Sequence, residues 1–214
     1  MNKLNSLLLL GTVAGVITLG SCGTAEAPKP EASAPAPATA ANGTYAIDPS
    51  ASAVDWTGSM AGVKSHTGTL KFNKGELTMA NGVLSGGTFT VDMKSYAFTD
   101  TNYAKDGSAQ GTRKDLMAHL MSPDFFAADS FPTAEFVITK VDGNSATGNL
   151  TVRGRTHEEQ VKNIVLSVDG KTVKATGDLT FNRQNYGVSW KSPMKDMVLS
   201  NDIVLKVQLQ GTGA

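Results

Sequence analysis

The stretch Thr172-Val173-Lys174-Ala175-Thr176-Gly177-Asp178-Leu179-Thr180-Phe181 alternates without a break. Val173, Ala175, Gly177, Leu179 and Phe181 fall on one face; the other face is Thr172, Lys174, Thr176, Asp178 and Thr180. A period of two with one apolar and one polar face marks a strand of antiparallel sheet whose outer side meets water. The inner face is small in its middle. Ala175 and Gly177 leave room behind the wall this strand would build.

The same period runs outward in both directions. Leu70 and Phe72, Phe89 and Val91, Phe136 and Ile138, Leu150 and Val152, and Ile203, Leu205, Val207 and Leu209 all alternate with polar residues. Turn chemistry separates them at hairpin spacing: Asn81-Gly82, Asp142-Gly143-Asn144, Gly154 and Asp169-Gly170. Strands are expected near 53–60, 65–74, 76–79, 83–92, 133–142, 146–153, 158–168, 172–181 and 202–210. Many short hairpin-linked strands make the chain all-β, a barrel or a sandwich.

One segment breaks the pattern. Residues 97–111 are rich in Gly, Asp, Asn and Ser and read as a loop. Thr112 then stands as a helix cap, with Asp115 in the place of a capping-box acid. Leu116 with Leu120, and Met117 with Met121, are i, i+4 pairs, so one short helix is expected near 112–121. Such a helix, inserted between strands, is placed to plug or gate one end of a barrel.

The N-terminus points to the compartment. Lys3 precedes an apolar run over residues 7–19. That run is shorter than the roughly 18 residues a membrane-spanning helix needs and suits the core of a signal peptide, residues 1–21. Leu19-Gly20-Ser21-Cys22 follows and resembles the bacterial lipobox, in which the cysteine becomes an acylated N-terminus. Cys22 is the single cysteine, so no internal disulfide forms. Residues 22–42, with Pro28, Pro30, Pro35 and Pro37 and no large apolar side chain, read as a disordered linker. Fully extended at about 3.1 Å per residue, it would reach roughly 60 Å. The domain proper is then 43–214. These features place it in the cell envelope outside the cytoplasm, lipid-anchored, and Gly23 after the cysteine favours the outer membrane.

Nineteen basic residues balance nineteen acidic ones, so no positive field exists to hold nucleic acid. No Gly-x-Ser-x-Gly elbow, phosphate-binding loop or dinucleotide turn is present, which argues against an enzyme and against such cofactors. His66, His119 and His157 have no metal-ligand spacing, and no metal is expected.

Three further motifs occur in order. Asp115-Leu116-Met117-Ala118-His119-Leu120-Met121-Ser122-Pro123-Asp124-Phe125-Phe126 is followed by Ser130-Phe131-Pro132. Gly148-Asn149-Leu150-Thr151-Val152-Arg153-Gly154 comes next, then Phe181-Asn182-Arg183 with Tyr186-Gly187-Val188. Together they resemble the YceI-like family of lipid- or polyisoprenoid-binding, lipocalin-like barrels, over roughly residues 43–210. The resemblance implies an up-and-down antiparallel barrel of about eight strands. It also implies an apolar ligand, a polyisoprenoid, isoprenoid quinone or other long-chain lipid, held inside.

On that reading Phe125 and Phe126 line a tunnel, or else simply fill the core. Phe136, Ile138, Ala175 and Gly177 belong to the inner face. His119 is either a headgroup-recognising polar group at the mouth or a plain rim residue. Arg183 matches the family's recurring arginine and contacts either ligand or, if buried among Phe181, Tyr186 and Trp190, a structural salt-bridge partner. Arg153, Arg155 and His157 crowd one turn, where charges are commonly just solvated. The alternative to a binding module is a structural or interaction lipoprotein with a filled core. Nothing in the chain specifies its oligomeric state.

Overall fold

The Thr172–Phe181 alternation forms the expected strand: Val173, Ala175, Gly177, Leu179 and Phe181 are buried and the residues between them face outward. In the computed structural model, residues 42–61, 64–192 and 198–213 are described. The leader, Cys22 and the Pro/Ala-rich stretch lie outside the described residues.

Along the chain come β1 (Gly43–Ile47), β2 (Ala53–Ala61), β3 (Lys64–Ala80), β4 (Val83–Asp92), β5 (Ala97–Phe98) and α1 (Arg113–Met121). They are followed by β6 (Thr133–Asp142), β7 (Ser145–Val152), β8 (Arg155–Asp169), β9 (Thr172–Asn182) and β10 (Val198–Gly213). Antiparallel pairing runs β10-β2-β3-β4-β6-β7-β8-β9, and β9 pairs back onto β10. This is a closed eight-stranded antiparallel barrel, with one α-helix among the described residues. Closure gives each of these eight strands a partner on both sides and fixes the alternation of inner and outer residues along them.

Two expectations need correction. The proposed strands at 65–74 and 76–79 are one continuous β3, which passes a bulge between Phe72 and Lys74 where it faces β4. Gly75 keeps the strand intact there, because its bare Cα admits the ring of Phe89 and the Ile47 side chain; a Cβ would lie 2.8 and 2.9 Å from them. The second correction is β1, which was not anticipated. It pairs with both β10 and β3, beyond the end of β2. β1 and β2 thus share one slot in the barrel wall, interrupted by Asp48-Pro49-Ser50, where proline cannot donate to a ladder.

The helix forms as its ends dictate. The Thr112 side chain accepts from the Asp115 backbone N–H, and Asp115 accepts in return from the Thr112 N–H (3.0 Å). At the other end the Ser122 N–H donates to the His119 carbonyl. Leu120 is its fully buried side chain, with Leu116, Met117 and Met121 packed against the same core. Among the described residues no helix is long and apolar enough to cross a membrane.

Candidate ligand-binding cavity

The inward residues do not meet in the middle of the barrel. They enclose a cavity of about 540 Å³, within the ~300–1,000 Å³ span of small-molecule sites. Val54, Trp56, Gly58 and Met60 of β2 and Ile203, Leu205 and Val207 of β10 form one side. Phe136, Ile138, Ala175 and Leu179 form another. Tyr45, Ile47, Met79 and Val173 are buried but take no part in the lining. They pack the barrel end where β1 meets the last residues of β10. The opposite end carries exposed lining residues, Gln110, Gly111 and Asp115, beside α1, and is the mouth.

Space in the wall is uneven. At Gly58 an added Cβ would have its nearest neighbour, Ile203 Cδ1, at 3.9 Å, so this glycine faces open cavity. At Gly177 the room expected from the sequence is already taken: a Cβ there would fall 2.6 Å from Val161 Cγ1. Gly68 is likewise occupied, by the Trp56 indole (2.7 Å to Cζ2).

Aromatic rings connect the wall to the helix. Trp56 meets Tyr96 (5.9 Å between centroids), Tyr96 stacks on Phe126 (6.4 Å), Phe126 meets Phe125 (5.0 Å), and Phe125 meets His119 (5.2 Å), which abuts Trp190 (4.7 Å). Arg153 binds the neighbouring loops to one another. It sits at φ 51°, in the left-handed region disfavoured for non-glycine residues, and its guanidinium donates to the carbonyls of Gly187 and Pro123.

The polar groups divide into rim and interior. At the rim Asp100 accepts from the Thr67 N–H (2.9 Å), the Asn102 N–H (2.9 Å) and the Tyr103 hydroxyl (2.7 Å), and lies 3.2 Å from His66 Nδ1. Burial pushes the Asp100 carboxyl up, but these hydrogen bonds outweigh it and hold its pKa at about 2. Burial, with Asp100 beside it, raises the Tyr103 phenol. In the interior, burial lowers the His119 imidazole, against a weaker opposing pull from Asp124, so the ring is neutral at pH 7. Among the described residues neither His119 Nε2 nor Trp56 Nε1 has a hydrogen-bond partner. A buried donor or acceptor left so costs about 1–3 kcal/mol, and the edge-on rings around both offset part of it.

Of the residues expected from sequence, the cavity brings together His119, Phe125, Phe126, Phe136, Ile138, Ala175 and Gly177. Arg183 does not join them. It is 1 % exposed, but its guanidinium donates to the carbonyls of Val188 (2.6 Å) and Ser200 (2.9 Å), with Asn201 Oδ1 at 3.4 Å. Its partners are two backbone carbonyls and an amide oxygen, where a salt bridge was expected. His157 is in β8, not in a turn, with Nε2 3.0 Å from the Asn185 carbonyl. Sequence reasoning passed over Trp56, Gly58 and Tyr96. The first two stand on the alternating face of an expected strand and were findable; Tyr96 lies in an irregular connection with no periodic signal. Among the described residues no three His, Cys, Asp or Glu side chains gather as metal ligands would.

Known proteins share this architecture. BcnA of Burkholderia cenocepacia superposes with a TM-score of 0.62 at 20% identity, over 78% of this chain and 99% of its own. A polyisoprenoid binding domain from Saccharophagus degradans gives a TM-score of 0.51 at 13% identity, over 79% and 98%. At these identities the likeness is one of fold. In sequence, a UPF0312 protein of Staphylococcus aureus (strain MSSA476) is 33% identical over 95 residues, 40% of this chain and 54% of the relative. The chain thus spans about half the length of that curated relative. The YceI-like domain model matches residues 45–211, and with that match across the whole barrel the chain belongs to the YceI-like domain family.

Proposed function

We propose that this protein is a lipid-anchored carrier of the cell envelope that sequesters one long apolar ligand, of polyisoprenoid or isoprenoid-quinone type, inside its barrel. The observation that carries the reading is the 540 Å³ cavity, walled by aliphatic and aromatic side chains and open beside α1. Each methylene buried there contributes about 0.8 kcal/mol, so a long chain gains affinity without specific contacts. The polyisoprenoid binding domain of the same fold agrees with this reading. A filled-core structural lipoprotein would need the inner side chains to meet, and at Gly58 and Ala175 they leave space. The acyl anchor on Cys22, cleavage of residues 1–21 and an outer-membrane location belong to the same proposal and rest on the lipobox-like sequence.

Both tryptophans of the chain, Trp56 and Trp190, line the cavity, which supplies a direct assay. Titrating the purified domain with a long-chain isoprenoid quinone is expected to quench tryptophan fluorescence saturably at one ligand per chain. Native mass spectrometry should show the same stoichiometry. Unchanged fluorescence together with the absence of any ligand-bound mass would reject the carrier reading in favour of the filled core.

A further inference from the structure

Two of the chain's four tyrosines, Tyr96 and Tyr103, line the cavity. Tyr103 spends its hydroxyl on Asp100 Oδ2 (2.7 Å), as Tyr186, elsewhere in the barrel, spends its own on Glu159 Oε1 (2.9 Å). Tyr96 is 9 % exposed, yet its hydroxyl donates to no atom among the described residues, and burial alone raises its pKa. Its neighbours are rings, Trp56 edge-on and Phe126 stacked, which grip the phenol without accepting its proton.

The backbone around it is pinned. The Ser95 hydroxyl accepts from the Lys71 N–H (2.8 Å) and donates to the Asp92 carbonyl (2.7 Å), while Ala97 on the other side pairs with Thr69 of β3. A donor held this firmly in an apolar wall loses little freedom when it meets an acceptor. Among the described residues no cation accompanies it. Arg153 and Arg183 are committed to carbonyls, and Lys64 stands at the mouth end of β3. An anionic group moved to this depth would leave water for neutral donors alone, the Tyr96 hydroxyl and the neighbouring Trp56 N–H, a poor exchange.

We propose that the Tyr96 hydroxyl is a polar contact inside the cavity, and that it selects an uncharged amphiphile carrying an oxygen acceptor over a hydrocarbon or an anion on the same skeleton. This rests on the carrier reading above and names the headgroup chemistry of that same site.

The test uses one branched C20 skeleton in three forms: phytane, phytanol and phytanic acid as its carboxylate. Dissociation constants are measured by tryptophan fluorescence and native mass spectrometry on the wild type and on Tyr96→Phe, which keeps the ring and removes only the oxygen. The wild type should prefer phytanol over phytane by about fivefold to tenfold, the size of one neutral hydrogen bond, and should also prefer it over the carboxylate. Tyr96→Phe should bind phytane unchanged and lose the preference for phytanol. The proposal is overturned if the wild type shows no preference, if Tyr96→Phe retains it, if the variant weakens phytane and phytanol equally, or if the carboxylate binds tightest. Phytane binding without selectivity would sink the Tyr96 role and leave the carrier reading standing. Failure of all three to bind the wild type would sink both.

Discussion

Gly58→Leu separates a blocked cavity from a damaged fold, because the two should move stability in opposite directions. Gly58 stands mid-strand in β2 on the inner face, and the nearest atom to a Cβ placed there is Ile203 Cδ1 at 3.9 Å. The first carbon of the new side chain therefore enters open cavity, and the lining neighbour Ile203 lies at ordinary contact distance from it. Burying leucine in an apolar space contributes about 1.5–3 kcal/mol, and removing a strand glycine adds roughly 0.5–1 kcal/mol through the unfolded chain. A net gain of about 2 kcal/mol would raise the melting temperature of a domain this size by ~4–8 °C. The same leucine takes the place of two or three ligand methylenes, about 2 kcal/mol, which weakens binding ~30-fold. Thermal unfolding of the free domain and fluorescence titration of an isoprenoid quinone measure the two effects. Gly177→Leu is the contrast: its side chain meets Val161 at once and should destabilise by about 1–3 kcal/mol. If Gly58→Leu melts lower than wild type, or binds with unchanged affinity, the reasoning about open space at this wall is wrong.

Three other outcomes are expected. Cys22→Ala should abolish acylation and release the protein from membranes while leaving the barrel's circular dichroism unchanged; persistent membrane association would argue against the anchor. Arg183→Lys keeps the charge but loses the fork that serves Val188 and Ser200, and denaturant unfolding should report a loss of about 2–4 kcal/mol. His119 binds its proton less readily folded than unfolded, so stability is full above about pH 6.5 and declines as pH falls below it; His119→Gln should flatten that part of a melting-temperature profile, and an unchanged slope would refute the assignment.

How far the sequence discloses the molecule depends on whether a residue acts through periodicity. Strands β4 and β6 begin and end where alternation and turn residues place them, at 83–92 and 133–142. The Thr112–Asp115 capping box was equally legible, because both partners lie within one turn of chain. β1 was not: five residues ahead of a proline carry too few alternations to stand out. β3 was cut in two at Gly75 because a glycine reads locally as a break, while its tolerance of the Phe89 ring depends on a strand still to come. In the site, the Phe125-Phe126 doublet announced itself. Arg183 showed that it would need partners, but these are backbone carbonyls at Val188 and Ser200, and a carbonyl has no residue type to recognise.

The pairing of β10 with β1, β2 and β9 bears on when the barrel comes into being. Until residues 198–213 are available, β2 and β9 are separated partners with unpaired edges, and no inside exists to hold a ligand. The β10–β2 pairing spans most of the domain, an arrangement that folds slowly because distant segments must meet before any pairing is rewarded. A chain still being synthesised would therefore stay open until its last strand arrives. A carrier of the kind proposed would load only after closure, and the export proposed with it would move a thread that holds no premature barrel.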